Sequence, residues 1–112
     1  MTTRPFATIR ATVGVETLGA GRVITLRGQP HLRAADVVVP GDPSSAAFPI
    51  VAALLVPGSR LRIAGVGLNP LRTGLLATLR EMGAALTVEN ERREGGEPVG
   101  DLVVSHAALR GV

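Results

Sequence analysis

Cysteine and lysine are both absent from these 112 residues, as are tryptophan and tyrosine; Phe6 and Phe48 are the only aromatic residues. Without cysteine there is no disulfide framework, no thiolate metal site and no cysteine nucleophile, and the redox compartment stays open. Without lysine the chain lacks a common catalytic and phosphate-binding group. No apolar run approaches the roughly 20 residues a membrane-spanning helix needs; the longest, Ala46–Val56, contains Pro49. The opening MTTRPFATIRATVG has no long apolar segment. No signal peptide or membrane anchor is therefore expected, no membrane partner either, and a cytoplasmic location is the default.

The length suits one compact domain and not two. Hydrophobic residues make up 46 % of the chain, enough for a core and too many for global disorder. That core must be aliphatic, built from Leu, Val, Ile and Ala side chains worth about 1–3 kcal/mol each when fully buried. The net charge is +3 and the pI about 11.3. All of the positive charge is arginine, scattered from Arg4 to Arg110, with Arg92–Arg93 the only adjacent pair. A nucleic-acid surface clusters its charges and often sets aromatic rings beside them. Neither feature is present, so these read as solvated surface arginines and no nucleic-acid partner is expected.

The first 35 residues read as a separate small unit. Ala11–Thr17 and Arg22–Arg27 alternate as two strands, joined across Leu18-Gly19-Ala20-Gly21 as a β-hairpin. Residues before Pro5 are expected to be loose, Gly28-Gln29-Pro30 closes the second strand, and His31–Ala35 is a connector. From 36 to 112 a different pattern follows. Asp36–Val39 is a short β-branched run ended by Pro40-Gly41. Asp42-Pro43 is a helix start, with Asp as N-cap and proline at the first helical position. The helix stops at Pro57-Gly58, and Pro49 is expected to kink or restart it. Ser59–Gly65 alternates as a strand with one wet face, broken by Gly65 and Gly67. Asn69-Pro70 repeats the cap-plus-proline signal before a second helix, about Leu71–Met82, ended by Gly83. Ala85–Asn90 and Asp101–His106 are strands, and Glu91–Glu97 between them is a mobile loop.

The order from Asp36 is thus β-α-β-α-β-β: an α+β or α/β unit with two helices packed on a four-stranded sheet. The first helix is apolar on every side. A two-layer unit leaves its far face bare, so it is expected to contact something else, and self-association is one way to satisfy it.

Few residues offer chemistry. Asp42, Ser44 and Ser45 stand at the first helix start, whose N–H groups attract anions; equally, Asp42 caps the helix while the serines complete its first turn. Arg72 stands near the second helix start and reads as a surface arginine more than a phosphate ligand. His31 and His106 have no ligand-like spacing around them. Asp101 and the acids of Glu91–Glu97 read as a solvated loop and not a catalytic pair. Gly65-Val66-Gly67 is turn chemistry, without the third glycine of a dinucleotide fingerprint.

The stretch Val39–Gly83, VPGDPSSAAFPIVAALLVPGSRLRIAGVGLNPLRTGLLATLREMG, resembles a segment in the middle of the EPSP synthases (5-enolpyruvylshikimate-3-phosphate synthases), and the likeness runs on through ENERREGGEPVGDLVV. GDPSSAAF, ALLVPGS, VGLNPLRTGLL and LREMGA stand in the order and spacing of bacterial members. The related UDP-N-acetylglucosamine enolpyruvyl transferases fit these phrases less well. The resemblance implies an internal fragment, roughly a quarter, of a cofactor-free and metal-free transferase. The whole enzyme moves the enolpyruvyl group of phosphoenolpyruvate to shikimate 3-phosphate in aromatic amino-acid synthesis. It has two domains, each of three βαβαββ units with helices inside and sheets outside. Residues 36–112 correspond to one such unit, the inter-domain hinge falls near 39–42, and residues 1–35 correspond to the tail of the neighbouring domain. Asp42, Ser44 and Ser45 then border the substrate cleft, and the rest of the enzyme is the implied partner. At residues 1–10 the likeness weakens: the family's His-Thr-Glu helix has no counterpart there. The family's N-terminal Lys-Ser, its Ser-Ser-Gln segment and its downstream Asp, Lys and Glu residues have none either, Ser44-Ser45 being a different pair. No residue here is therefore expected to be catalytic. The chain alone should lack most of the roughly 8–23 kcal/mol by which enzymes stabilise a transition state.

Overall fold

The computed structural model describes residues 6–9, 13–26, 28 and 32–112. The chain divides into two compact units, Met1–Val37 and Val38–Val112. The first holds β1 (Phe6–Ile9), β2 (Val13–Leu18), β3 (Gly21–Leu26) and β4 (Leu32–Ala35). Strands β2 and β3 form the expected antiparallel hairpin, turning through Gly19-Ala20 with Gly19 at φ +60°. Most of the stretch expected to be a connector is strand β4, which pairs antiparallel with β1. Its four residues, LRAA, carry little β signal of their own, and the partner strand is distant in sequence. The segments before Pro5 and around Gln29-Pro30, and His31, lie outside the described residues.

The second unit consists of α1 (Pro43–Leu55), β5 (Arg60–Gly67), α2 (Gly74–Glu81), β6 (Ala85–Glu94) and β7 (Glu97–Ser105). The strands form an antiparallel sheet in the order β5-β7-β6, and both helices pack on one face of it. The core joins Ala46, Ile50, Ala53 and Leu54 of α1 and Leu76 and Leu79 of α2 to Val66, Leu86, Leu102 and Val104 of the strands. Burial is deepest along β7, the strand flanked on both edges. Among the described residues the sheet has three strands where four were expected. Asp36–Val39 forms no strand, and a single parallel bridge, Gly41 to Val66, stands in its place. Pro40 has no N–H to donate to a ladder, so only Gly41 just beyond it makes the pairing.

Two bulges face β7. In β5, Ile63 pairs with Leu102 and Val66 with Gly100, so Ala64-Gly65 together oppose Asp101. In β6, Glu89 pairs with Asp101 and Arg92 with Val99, so Asn90-Glu91 oppose Gly100. The first bulge resets the alternation, which keeps Leu61, Ile63 and Val66 all on the helix side. Gly65 (φ +68°) and Asn90 (φ +50°) take left-handed backbone at these points; glycine does so freely and asparagine better than other side chains. Gly65-Val66-Gly67 is thus bulged strand and not a turn. The expected mobile loop is also a strand pairing: Glu94 opposes Glu97 across Gly95 (φ +57°) and Gly96 (φ +85°), the pattern of a type I′ hairpin turn.

Helix α1 runs unbroken through Pro49. The missing N–H would have bonded the Ser45 carbonyl, and both residues lie on the exposed side, where that carbonyl is open to solvent. The same side carries Phe48, 81 % exposed, with Leu55 and Val56, so the face expected to be bare is open in this unit. Helix α2 starts later than expected, at Gly74, because Asn69-Pro70 opens a turn, with the Leu71 N–H on Asn69 Oδ1 at 3.0 Å. Leu76 and Leu79 face the core, while Leu71 is 94 % exposed. The helix ends in a Schellman motif: Ala84 N–H reaches Leu79 O at 2.9 Å and Gly83 N–H reaches Arg80 O at 2.9 Å.

Two glycines should respond oppositely to alanine. A Cβ at buried Gly100 would lie 2.8 Å from both Leu68 Cδ1 and Val88 Cγ1 and 3.3 Å from Glu89 O, whereas one at Gly74 meets nothing within 4 Å. In denaturant unfolding, Gly100→Ala should destabilise the chain by about 1–3 kcal/mol. Gly74→Ala, in α2, should stabilise it by about 0.4–1 kcal/mol.

Candidate functional site

The approach to α1 is set by glycine. Gly41 N–H donates to Gly65 O at 2.7 Å, and Gly67 N–H donates to Gly41 O at 2.9 Å. A Cβ at Gly41 would sit 3.2 Å from Gly65 O, and one at Gly67 would sit 3.4 Å from Gly41 O and from Pro40 Cβ. The two backbones meet this closely because neither residue carries a side chain.

Asp42 follows directly and is the N-cap of α1. Its carboxylate accepts the Ser44 N–H at 3.2 Å, the Ser45 N–H at 3.1 Å and the Ser45 hydroxyl at 2.9 Å. A turn fixed by Arg72 N–H on Asn69 O, 2.8 Å, brings Arg72 across from the other side. Its guanidinium donates to Asp42 Oδ1 at 2.8 Å and to Ser44 Oγ at 3.1 Å. Asp42 and Arg72 edge an open depression of about 530 Å³ walled by Val39, Pro40, Pro43, Gly67, Asn69 and Glu97. Bonds from the Ser45 hydroxyl and the Ser44 and Ser45 N–H groups, with the charge of Arg72, hold the Asp42 carboxyl below its ordinary 3.8.

The structure brings Asp42, Ser44 and Ser45 together and adds Arg72, 30 residues further on, as their ion-pair partner. Its effect on ligand chemistry is restrictive. The Ser44 and Ser45 N–H groups that would hold an anion at a helix start already donate to Asp42, and Arg72 is balanced by the same carboxylate. What remains is a neutralised, hydrogen-bonded patch beside a wall of mixed polarity that includes Val39, Pro40, Asn69 and Glu97.

On the opposite face of the sheet lies a group that the sequence misplaced. Asp101 is no solvated loop residue: it is 5 % exposed in β7. Its carboxylate accepts from Arg62 at 2.6 Å, Gly65 N–H at 2.9 Å and Asn90 Nδ2 at 3.0 Å, with Arg92 at 3.5 Å. Donation from Asn90, Arg62 and Gly65 holds this carboxyl far below its ordinary 3.8. No local pattern in the sequence marks the cluster, because the donors come from two other strands. His106 lies just past β7, with Nδ1 2.8 Å from Leu54 O. Among the described residues no three His, Asp or Glu side chains gather as a metal site, and no helix is long and apolar enough to cross a membrane.

The family model for EPSP synthase (3-phosphoshikimate 1-carboxyvinyltransferase) matches residues 7–110, almost the whole chain. The chain belongs to the EPSP synthase family. It is 71 % identical over 102 residues to the 3-phosphoshikimate 1-carboxyvinyltransferase of Acidiphilium cryptum, covering 91 % of this chain and 23 % of that protein. To its counterpart in Paracoccus denitrificans it is 56 % identical over 111 residues, 99 % of this chain and 25 % of that protein. A solved EPSP synthase from Acinetobacter baumannii superimposes with a TM-score of 0.75 at 42 % identity, covering 90 % of this chain and 23 % of that one. The chain therefore spans about a quarter of the length of the curated relatives it matches, and its mixed α+β fold is that of the EPSP synthase segment it overlays.

Asp42→Ala should lower Tm by roughly 4–8 °C, the shift one lost cap produces in a unit of this size. Arg72→Ala, which leaves the cap intact, should lower it less. Thermal melts followed by circular dichroism check both; equal effects would mean that the ion pair, and not the cap, holds the helix start.

Proposed function

We propose that this chain supplies one βαβαββ unit, its first strand reduced here to the Gly41–Val66 bridge, and the adjoining inter-domain segment of an enzyme that moves the enolpyruvyl group of phosphoenolpyruvate to shikimate 3-phosphate. The match of residues 7–110 to the EPSP synthase family carries this reading. In that enzyme Val39–Asp42 is the hinge, residues 36–112 belong to one domain and residues 1–35 to the tail of the other. Asp42, Ser44 and Ser45 border the substrate cleft. Their role there is to fix the start of α1 beside the hinge: Asp42 already takes their N–H groups and the Arg72 guanidinium, which leaves them poorly suited to a phosphate.

The 112 residues do not catalyse the reaction by themselves. Two phosphates and a carboxylate must be held by cations, and proton transfer needs an acid and a base. The chain has no lysine, and Arg62, Arg72 and Arg92 are each paired with an acid. The same pairing counts against a nucleic-acid surface.

The open face of α1 favours a second reading, in which the unit associates with itself or with complementary pieces of the enzyme. Phe48 and Leu55 are exposed on a helix without a charged residue, as is Val56 at its C-cap, and contact with another apolar surface would remove them from water.

Phosphate release from phosphoenolpyruvate and shikimate 3-phosphate distinguishes these readings. The isolated chain should release none above background. Mixed with the remaining three quarters of a relative's polypeptide, it should restore turnover. Turnover by the chain alone would overturn the assignment of the chemistry to other parts of the enzyme. Self-association without restored turnover would favour the second reading.

A further inference from the structure

We propose that Asp101 is a positioning residue for the Gly41–Asp42 segment, acting across the sheet through Gly65. In a regular antiparallel strand the N–H and C=O of one residue point to the same neighbouring strand. The β5 bulge separates them at Gly65. Its N–H turns to the Asp101 carboxylate, 2.9 Å away, while its carbonyl turns outward to the Gly41 N–H at 2.7 Å. The left-handed φ of +68° makes this split possible, and the peptide on its N-terminal side is held by the Asp101 bond. Gly41 closes the loop by accepting from Gly67 N–H at 2.9 Å, so both of its backbone bonds go to residues flanking Val66. Asp42, the cap of α1, is the next residue.

The carboxylate cannot drift, because its oxygens are also held by Arg62 at 2.6 Å and Asn90 at 3.0 Å. A charged group on the outer face of the sheet thus fixes the backbone of the helix start on its far edge. This inference does not depend on the reaction proposed above, since it concerns only the backbone of this chain.

Amide hydrogen exchange followed by NMR tests it, comparing Gly41 and Gly67 with the core amides of Leu54 and Val104. Leu79→Ala, which removes a buried side chain of α2, serves as the control for general loss of stability and should accelerate all four amides in proportion. Asp101→Ala should accelerate Gly41 and Gly67 about 10-fold more than the core pair, the signature of a local opening. Asp101→Asn, which keeps an acceptor oxygen but loses the charge, should give the same bias at about 3-fold. If Asp101→Ala does not fold, Asp101→Asn decides the matter. Proportional acceleration of all four amides in the Asp101 variants, as in the control, would overturn the proposal.

Discussion

Three strands of the second unit meet at one carboxylate. Asp101 stands on β7 between two bulged neighbours and takes Arg62 and Gly65 from β5 and Asn90 from β6. A buried carboxylate left unpaired would be costly, and so would a bulge whose turned-out N–H found no acceptor. Here each resolves the other. Gly65 and Asn90, the left-handed residues of the two bulges, each bring a donor to the charge beside that of Arg62. With the bulges in place, Ile63 and Val66 both face the helices, and the core under α1 and α2 closes.

The other governing feature is a surface only half covered. Helix α1 has no charged residue from Pro43 to Leu55; it buries Ile50 and Leu54 completely yet leaves Phe48 and Leu55 in water. A helix built to face one sheet would carry polar residues on its far side. Beyond Ser44 and Ser45 in its first turn, this helix carries only apolar side chains, and the chain spans about a quarter of the length of the relatives it matches. The polar chemistry within the unit goes into holding backbone: Asp42 caps, Asp101 clamps, and the arginines pair with both.

The sequence revealed those parts of the fold whose signal is local. Asp42-Pro43 marks the start of α1, Gly83 its counterpart at the end of α2, and the alternation of Arg60 to Ile63 marks a wet-faced strand. Long-range pairing left no such trace. LRAA became a strand because Phe6–Ile9 is its partner. The Glu91–Glu97 stretch looked like a loop because its charges mask a hairpin that only the positive φ of Gly95 and Gly96 explains. At the candidate site the cap was legible in Asp42, Ser44 and Ser45. The ion pair to Arg72 was not, since no residue near Arg72 in sequence points to Asp42. Asp101 was misplaced for the same reason.

Titration of the Asp101 side-chain carboxyl carbon by NMR in the folded chain tests the clamp most directly. A carboxyl held below its unfolded value contributes stability that is full above pH 3.8 and is lost as pH falls through the lower folded value. The carboxyl should therefore remain ionised, and its carbon shift unchanged, as the pH passes below 3.8, while ordinary exposed carboxyls protonate at about 4. Protonation of Asp101 in that ordinary range, with the chain still folded, would contradict the account.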